Sequence, residues 1–202
     1  SGFAFTLGDD GWGGPEGDQH HDGQMYYVER GSTEVVPLAA EAPGNHVGFG
    51  AAWSPRSHYL TYVTYDSVAD LLWLIDMQHS EDAFQVFESI DRGKAKWLSD
   101  ESSIVLSAAA FLEAGSEEIL WHVLARYDLS SKAYNYLRRD ESPGSEGAGY
   151  ELVGETADGA GFVVVERAEV DGQSVPGRDR LLNIDLTANE AAAVIEGEAL
   201  SY

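Results

Sequence analysis

Between Gly8 and Gln24 the chain packs a dense set of groups able to do chemistry: Asp9, Asp10, Glu16, Asp18, His20, His21 and Asp22, set among glycines around Trp12. Carboxylates spaced by glycine can wrap a hard cation such as Ca2+ through oxygen ligands. Asp9, Asp10, Asp18, His20, His21 and Asp22 are therefore the candidate metal ligands. The His20-His21-Asp22 run offers a second option, a transition metal held through imidazole nitrogen. Neither the EF-hand spacing nor the H-E-x-x-H spacing is present. A solvated loop with glycines at its turns explains the same residues without a metal. Ca2+ is the favoured of the two ions, and nothing in the spacing requires either.

Arginines form the other chemical grouping, in Arg138-Arg139-Asp140-Glu141 and in Arg178-Asp179-Arg180. Guanidinium forks can grip a carboxylate or phosphate through two bonds. Local pairing with Asp140, Glu141 and Asp179 is the competing use. Signatures of catalysis are missing. Gly144-Ser145-Glu146-Gly147 lacks the helix a nucleophile elbow requires, and Gly11-Trp12-Gly13-Gly14 follows no βαβ pattern. A glycosidase pair of carboxylates cannot be picked from 35 acidic residues.

Those 35 acids face 12 bases, for a net charge of −23 over 202 residues. Such a surface repels phosphate backbones and anionic headgroups, which argues against nucleic acid and membrane partners. No apolar run approaches the roughly 20 residues of a bilayer-spanning helix. Only Lys94, Lys96 and Lys132 are lysines. Acid excess with few lysines fits a protein adapted to high salt, where screening weakens like-charge repulsion. An acidic periplasmic or secreted protein fits as well. The absence of Cys excludes disulfides and thiolate chemistry. The chain opens on Ser1-Gly2, which reads as a processed or excised segment or as a tag scar.

An internal repeat organises the rest. The segment from Trp53 to Val63 aligns without gaps on Trp97 to Ser107 and on Glu155 to Val165. Each copy reads as a strand end, a tight polar turn and an apolar strand. Each is followed by a strand ending in Asp (Asp76, Asp128, Asp185 with Leu186 beyond), a polar turn and a final strand: Ala83–Phe87, Ala133–Leu137, Ala191–Ile195. Four short strands recurring every roughly 45 to 60 residues predict an all-β fold, a β-propeller of four-stranded antiparallel blades. The copies cover about residues 47–88, 93–137 and 149–196 of one propeller-like domain. A fourth copy, 1–38, lacks its first strand, and Ala199–Tyr202 could supply it, closing a ring of about four blades. The alternative is an arc of a larger propeller.

The run Trp53-Ser54-Pro55, then Tyr59-Leu60-Thr61-Tyr62-Val63, then Leu74-Ile75-Asp76, resembles the WD40-like (PD40) propeller repeat of the TolB type. Similar repeats occur in the propeller halves of tricorn-like and dipeptidyl-peptidase-like proteins. The resemblance implies a propeller and says little of activity. It departs from the family at Arg56-Ser57 and Asp100-Glu101, where Asp-Gly is usual; Asp158-Gly159 restores it.

The repeat also sorts the connections. Those between strands one and two and between strands three and four are short. The long ones, Gly8–Gln24, Ala39–His46, Phe111–Glu118, Arg138–Ala148 and Glu169–Arg180, all exit on the opposite face. Long loops on one side of a rigid scaffold are where binding concentrates. Trp12, His46, Arg138, Arg139, Arg178 and Arg180 are the expected ligand-binding residues of that face. The leading expectation is a non-catalytic module offering an acidic, loop-rich face to a protein or cationic ligand. The runner-up is a propeller part of a larger hydrolase, or a metal-dependent enzyme with its site at the channel mouth.

Overall fold

Apolar residues that alternate with polar ones, reversed by short polar turns, give each repeat an antiparallel sheet. In the computed structural model the described residues are 2–7, 24–38, 52–65, 70–78, 83–91, 94–113, 119–140, 146–170, 173–174, 179–188 and 190–196. They are strand, turn and bend, and no helix among them is long and apolar enough to cross a membrane. The chain divides into two compact units, Ser1–Glu88 and Ser89–Tyr202. Each unit holds two repeats.

In the first unit β1 (Gly2–Leu7), β2 (Gln24–Glu29) and β3 (Val36–Pro37) pair in that order. This is the copy expected to lack its first strand; Ala199–Tyr202 lies outside the described residues. Next come β4 (Ala52–Trp53), β5 (Tyr59–Tyr65), β6 (Asp70–Asp76) and β7 (Ala83–Asp91), which pair in that order within a longer sheet. Leu38, Leu60, Tyr62, Leu71, Trp73 and Ile75 form the core between these sheets, with Tyr27 and Trp53 packed on it. The Tyr27 and Trp53 rings meet at 5.7 Å and 59°. The Trp of this repeat is therefore packing between blades.

In the second unit β8 (Lys94–Trp97), β9 (Ser103–Glu113), β10 (Ile119–Asp128) and β11 (Ala133–Asp140) form one blade. The next contains β12 (Glu146–Glu155), β13 (Gly161–Val170), β15 (Arg180–Asp185) and β16 (Glu190–Glu196), with β14 (Gln173–Ser174) folded onto β13. Leu98, Val105, Leu124 and Leu137 of the first blade bury against Leu152, Phe162, Val164 and Ile184 of the second. Fully burying a side chain such as Phe162 contributes about 1.5–3 kcal/mol. Polar ties reinforce the seam. Ser107 Oγ donates to the Tyr150 carbonyl at 3.0 Å, and the Ser99 N–H donates to Glu155 Oε2 at 2.6 Å. Glu155 holds the repeat position that Trp fills elsewhere, so a hydrogen bond between blades replaces ring packing there.

Strands in this unit run further than apolar patterning implies. β11 continues through Arg138, Arg139 and Asp140, with Arg138 opposite Leu124 and Asp140 opposite Trp121. The expected long connection from Arg138 to Ala148 shrinks to the residues between Asp140 and Glu146. Likewise β13 extends to Val170 and β14 turns back on it, within what reads as the Glu169–Arg180 loop. Backbone pairing needs no apolar side chain, so charged residues extend a ladder whose pattern has ended. The residues between β13 and β14, Asp171-Gly172, are also a strong two-residue hairpin sequence.

Candidate functional site

The two ends of the blades differ in chemistry. At the short-turn end every complete repeat uses the same hydrogen bonds. The Ser57, Glu101 and Gly159 N–H groups donate to the carbonyls of Ser54, Leu98 and Thr156. These three residues share the left-handed conformation, with φ of 62°, 62° and 70°. The position that Gly159 holds in the last repeat thus keeps its backbone even where Ser or Glu occupies it. A second bond recurs: Met77, Leu129 and Leu186 donate to His58, Ser102 and Ala160. The repeated Asp explains itself here. Oδ1 of Asp76, Asp128 and Asp185 accepts the N–H of Gln78, Ser131 and Ala188, each at 2.9 Å, closing the third-to-fourth strand turn. Hydroxyls of Ser130 and Ser131, with the Ser131 amide, pull Asp128 down to about 2.

At the opposite end of the second unit lies a set of ion pairs. Arg180 opens β15 and pairs across the ladder with Glu166, whose side chain is only 8% exposed. Arg167 sits between two carboxylates, with Nη2 2.6 Å from Glu151 Oε2 and Nη1 3.2 Å from Asp179 Oδ2. The hydrogen bond from Arg167 holds the Glu151 carboxyl below the usual carboxylate range, aided by the charges of Arg167, Lys94 and Lys96. Arg138 donates to the Leu137 carbonyl at 2.9 Å, and the Arg139 guanidinium lies 5.5 Å from the centre of the Tyr136 ring.

Two of the four buried side-chain atoms without a partner among the described residues lie at this end: His122 Nδ1 and Asp179 Oδ1. Both residues stand six positions before the repeated Asp of their blade. His122 also has φ of 49° where β10 slips register against β11. A bulge there re-aims its side chain at a backbone cost.

Of the residues expected to bind ligand, Arg138, Arg139 and Arg180 are described, and all three are exposed strand residues rather than loop residues. The expected partner of Arg180, Asp179, belongs to Arg167; Arg180 takes Glu166 because the antiparallel register sets them opposite. Trp12, His46 and Arg178 lie outside the described residues, as do Asp9, Asp10, Asp18, His20, His21 and Asp22. Among the described residues no group of three or more His, Asp and Glu is placed to hold a metal. Sequence reasoning missed Glu151, Glu166 and Arg167, which become partners only once register is known. His122 and Asp179 carried a signal, their shared position in the aligned repeats.

This architecture is that of the β-propellers. No family model matches the sequence, and no curated protein matches it. Solved structures do. A protein from Bacteroides ovatus assigned as a dipeptidyl aminopeptidase IV matches with a TM-score of 0.59 at 9% identity, over 94% of this chain and 29% of that one. An oligogalacturonate lyase from Vibrio parahaemolyticus matches at 0.50 and 13% identity, over 88% of this chain and 44% of that one. A protein from Agrobacterium tumefaciens assigned as TolB matches at 0.47 and 13% identity, over 96% of this chain and 63% of that one. The chain spans less than two thirds of each of these structures. Likeness at such identities shows the fold alone.

Proposed function

We propose that the chain is a non-catalytic binding module of TolB-like type that engages a protein or cationic ligand with the loop-bearing ends of its blades. One observation carries the reading. The short-turn end is hydrogen-bonded by one repeated scheme, whereas His122 Nδ1 and Asp179 Oδ1 have no partner among the described residues at the other. Buried polar atoms without partners are costly, and they persist where a bound group satisfies them. A carboxylate oxygen accepts hydrogen bonds, so a donor such as an ammonium or guanidinium group suits Asp179. A periplasmic or extracellular setting goes with this reading. By sequence the segment Gly8–Gln24, with its acids and Trp12, is one of the long connections, and in this reading a Ca2+ ion bound by it would be structural.

Selection of a displayed peptide library against the full chain tests the reading. Recovered peptides are expected to be rich in Lys and Arg and to bind at least tenfold more weakly to Asp179→Asn with His122→Gln. Unchanged binding to that variant sinks it. A second reading, that these blades belong to a longer propeller in a hydrolase, is favoured by the small share of the matched structures that the chain spans. The intact mass of the protein from its source separates the two.

A further inference from the structure

In a chain with 35 acids and 12 bases, cations gathered on one patch stand out. Two of the three lysines, Lys94 and Lys96, are exposed on β8, the first strand of its blade. Lys96 Nζ reaches across to β12, the first strand of the next blade, and donates to the Val153 carbonyl at 2.7 Å. Two residues before Val153 stands Glu151, and its Oε2 accepts both Nε and Nη2 of Arg167 at 3.2 and 2.6 Å. Asp179 holds the far side of the guanidinium. Glu151 is 49% exposed and Arg167 35%, while Asp179 is 14% exposed. Val153 adds an apolar surface, being 50% exposed.

One carboxylate thus sits among three cations, on solvent-facing strands. We infer that Lys94, Lys96 and Arg167 form a binding site for a ligand carboxylate, and that the Glu151 side chain occupies it until the ligand displaces it. The site lies on the strands rather than the loops, and it does not rest on the partner-binding reading above. Three features argue for it. Asp179 fixes Arg167 from behind, so the fork keeps its direction when Glu151 leaves. An exposed ion pair is weak, so exchanging Glu151 for another carboxylate costs little. Val153 beside the cations favours an organic anion over an inorganic one. Lys94 and Lys96 also help to depress the Glu151 carboxyl, in keeping with their nearness.

The experiment titrates the full chain with citrate and follows backbone amide and Arg Nε 1H–15N shifts. Shifts are expected to centre on Lys94, Lys96, Val153 and Arg167. Glu151→Gln is expected to bind citrate about fivefold more tightly, since the resident competitor is gone. Replacing both Lys94 and Lys96 by Gln is expected to weaken binding at least fivefold. An unchanged affinity in Glu151→Gln, or shifts centred elsewhere, overturns the site. Inorganic phosphate is the second arm: a weaker response than to citrate supports the carboxylate assignment, and an equal or stronger one overturns it. Should the double Lys variant not fold, Glu151→Gln, which keeps the side chain's shape, decides alone.

Discussion

Tyr62 fills the position that Leu106 and Val164 hold in the later repeats, and it is 1% exposed, its hydroxyl without a partner among the described residues. Burial alone pushes its phenol far above the ordinary range. Removing an unpaired buried hydroxyl while keeping the ring stabilises by about 1 kcal/mol. Tyr62→Phe should therefore raise the urea midpoint. The sign with pH follows from a folded pKa above the unfolded one. Titration of Tyr62 leaves stability unchanged below pH 10 and lowers it as pH rises above that, because only the unfolded phenol ionises readily, so Tyr62→Phe should flatten the alkaline limb of the stability curve. Ser57 and Gly159 make an opposed pair, both left-handed at the same turn position. Ser57→Gly should stabilise by about 0.5–1 kcal/mol and Gly159→Ala should destabilise by about 1 kcal/mol. A Cβ on Gly159 meets no atom within 4 Å, so only backbone strain is at stake. Denaturant midpoints of the two variants moving in the same direction would contradict this.

Turns and ladders set the next scale. Asp128 closes the turn between β10 and β11 through its bonds to Ser130 and Ser131. Its folded pKa of about 2 lies below its ordinary value, so it stabilises the fold above about pH 4. That contribution drains as pH falls toward 2, and Asp128→Ala should lower the thermal midpoint at pH 7 and leave it nearly unchanged at pH 2. Between β13 and β15 the Glu166–Arg180 pair joins a buried carboxylate to a cation 47% exposed. Arg180→Gln leaves that carboxylate without its charge partner, at a cost of about 2 kcal/mol. Replacing Glu166 as well should recover part of the loss, as a double-mutant cycle would read.

At the scale of the whole molecule, −23 net charge opposes compactness by self-repulsion. Screening this repulsion should raise the thermal midpoint between 50 mM and 1 M NaCl. A flat response would remove the case for a high-salt protein. The all-β fold, the blade unit and the turn at Trp53–Leu60 were legible in the sequence, because alternation and turn residues are local signals. So was the recurring Asp, whose partners lie only two or three residues on. The ends of strands were not, because Arg138 and Arg139 extend a ladder that only the neighbouring strand's pairing defines. Nor was the site: Glu151 meets Arg167 sixteen residues on, and Lys96 meets Val153 fifty-seven residues on. The sequence by itself determined which residues alternate, turn and cap. Only the tertiary structure decided which charges meet and which polar atoms stay unpaired, because cross-strand register and blade-to-blade packing, not spacing along the chain, bring them together.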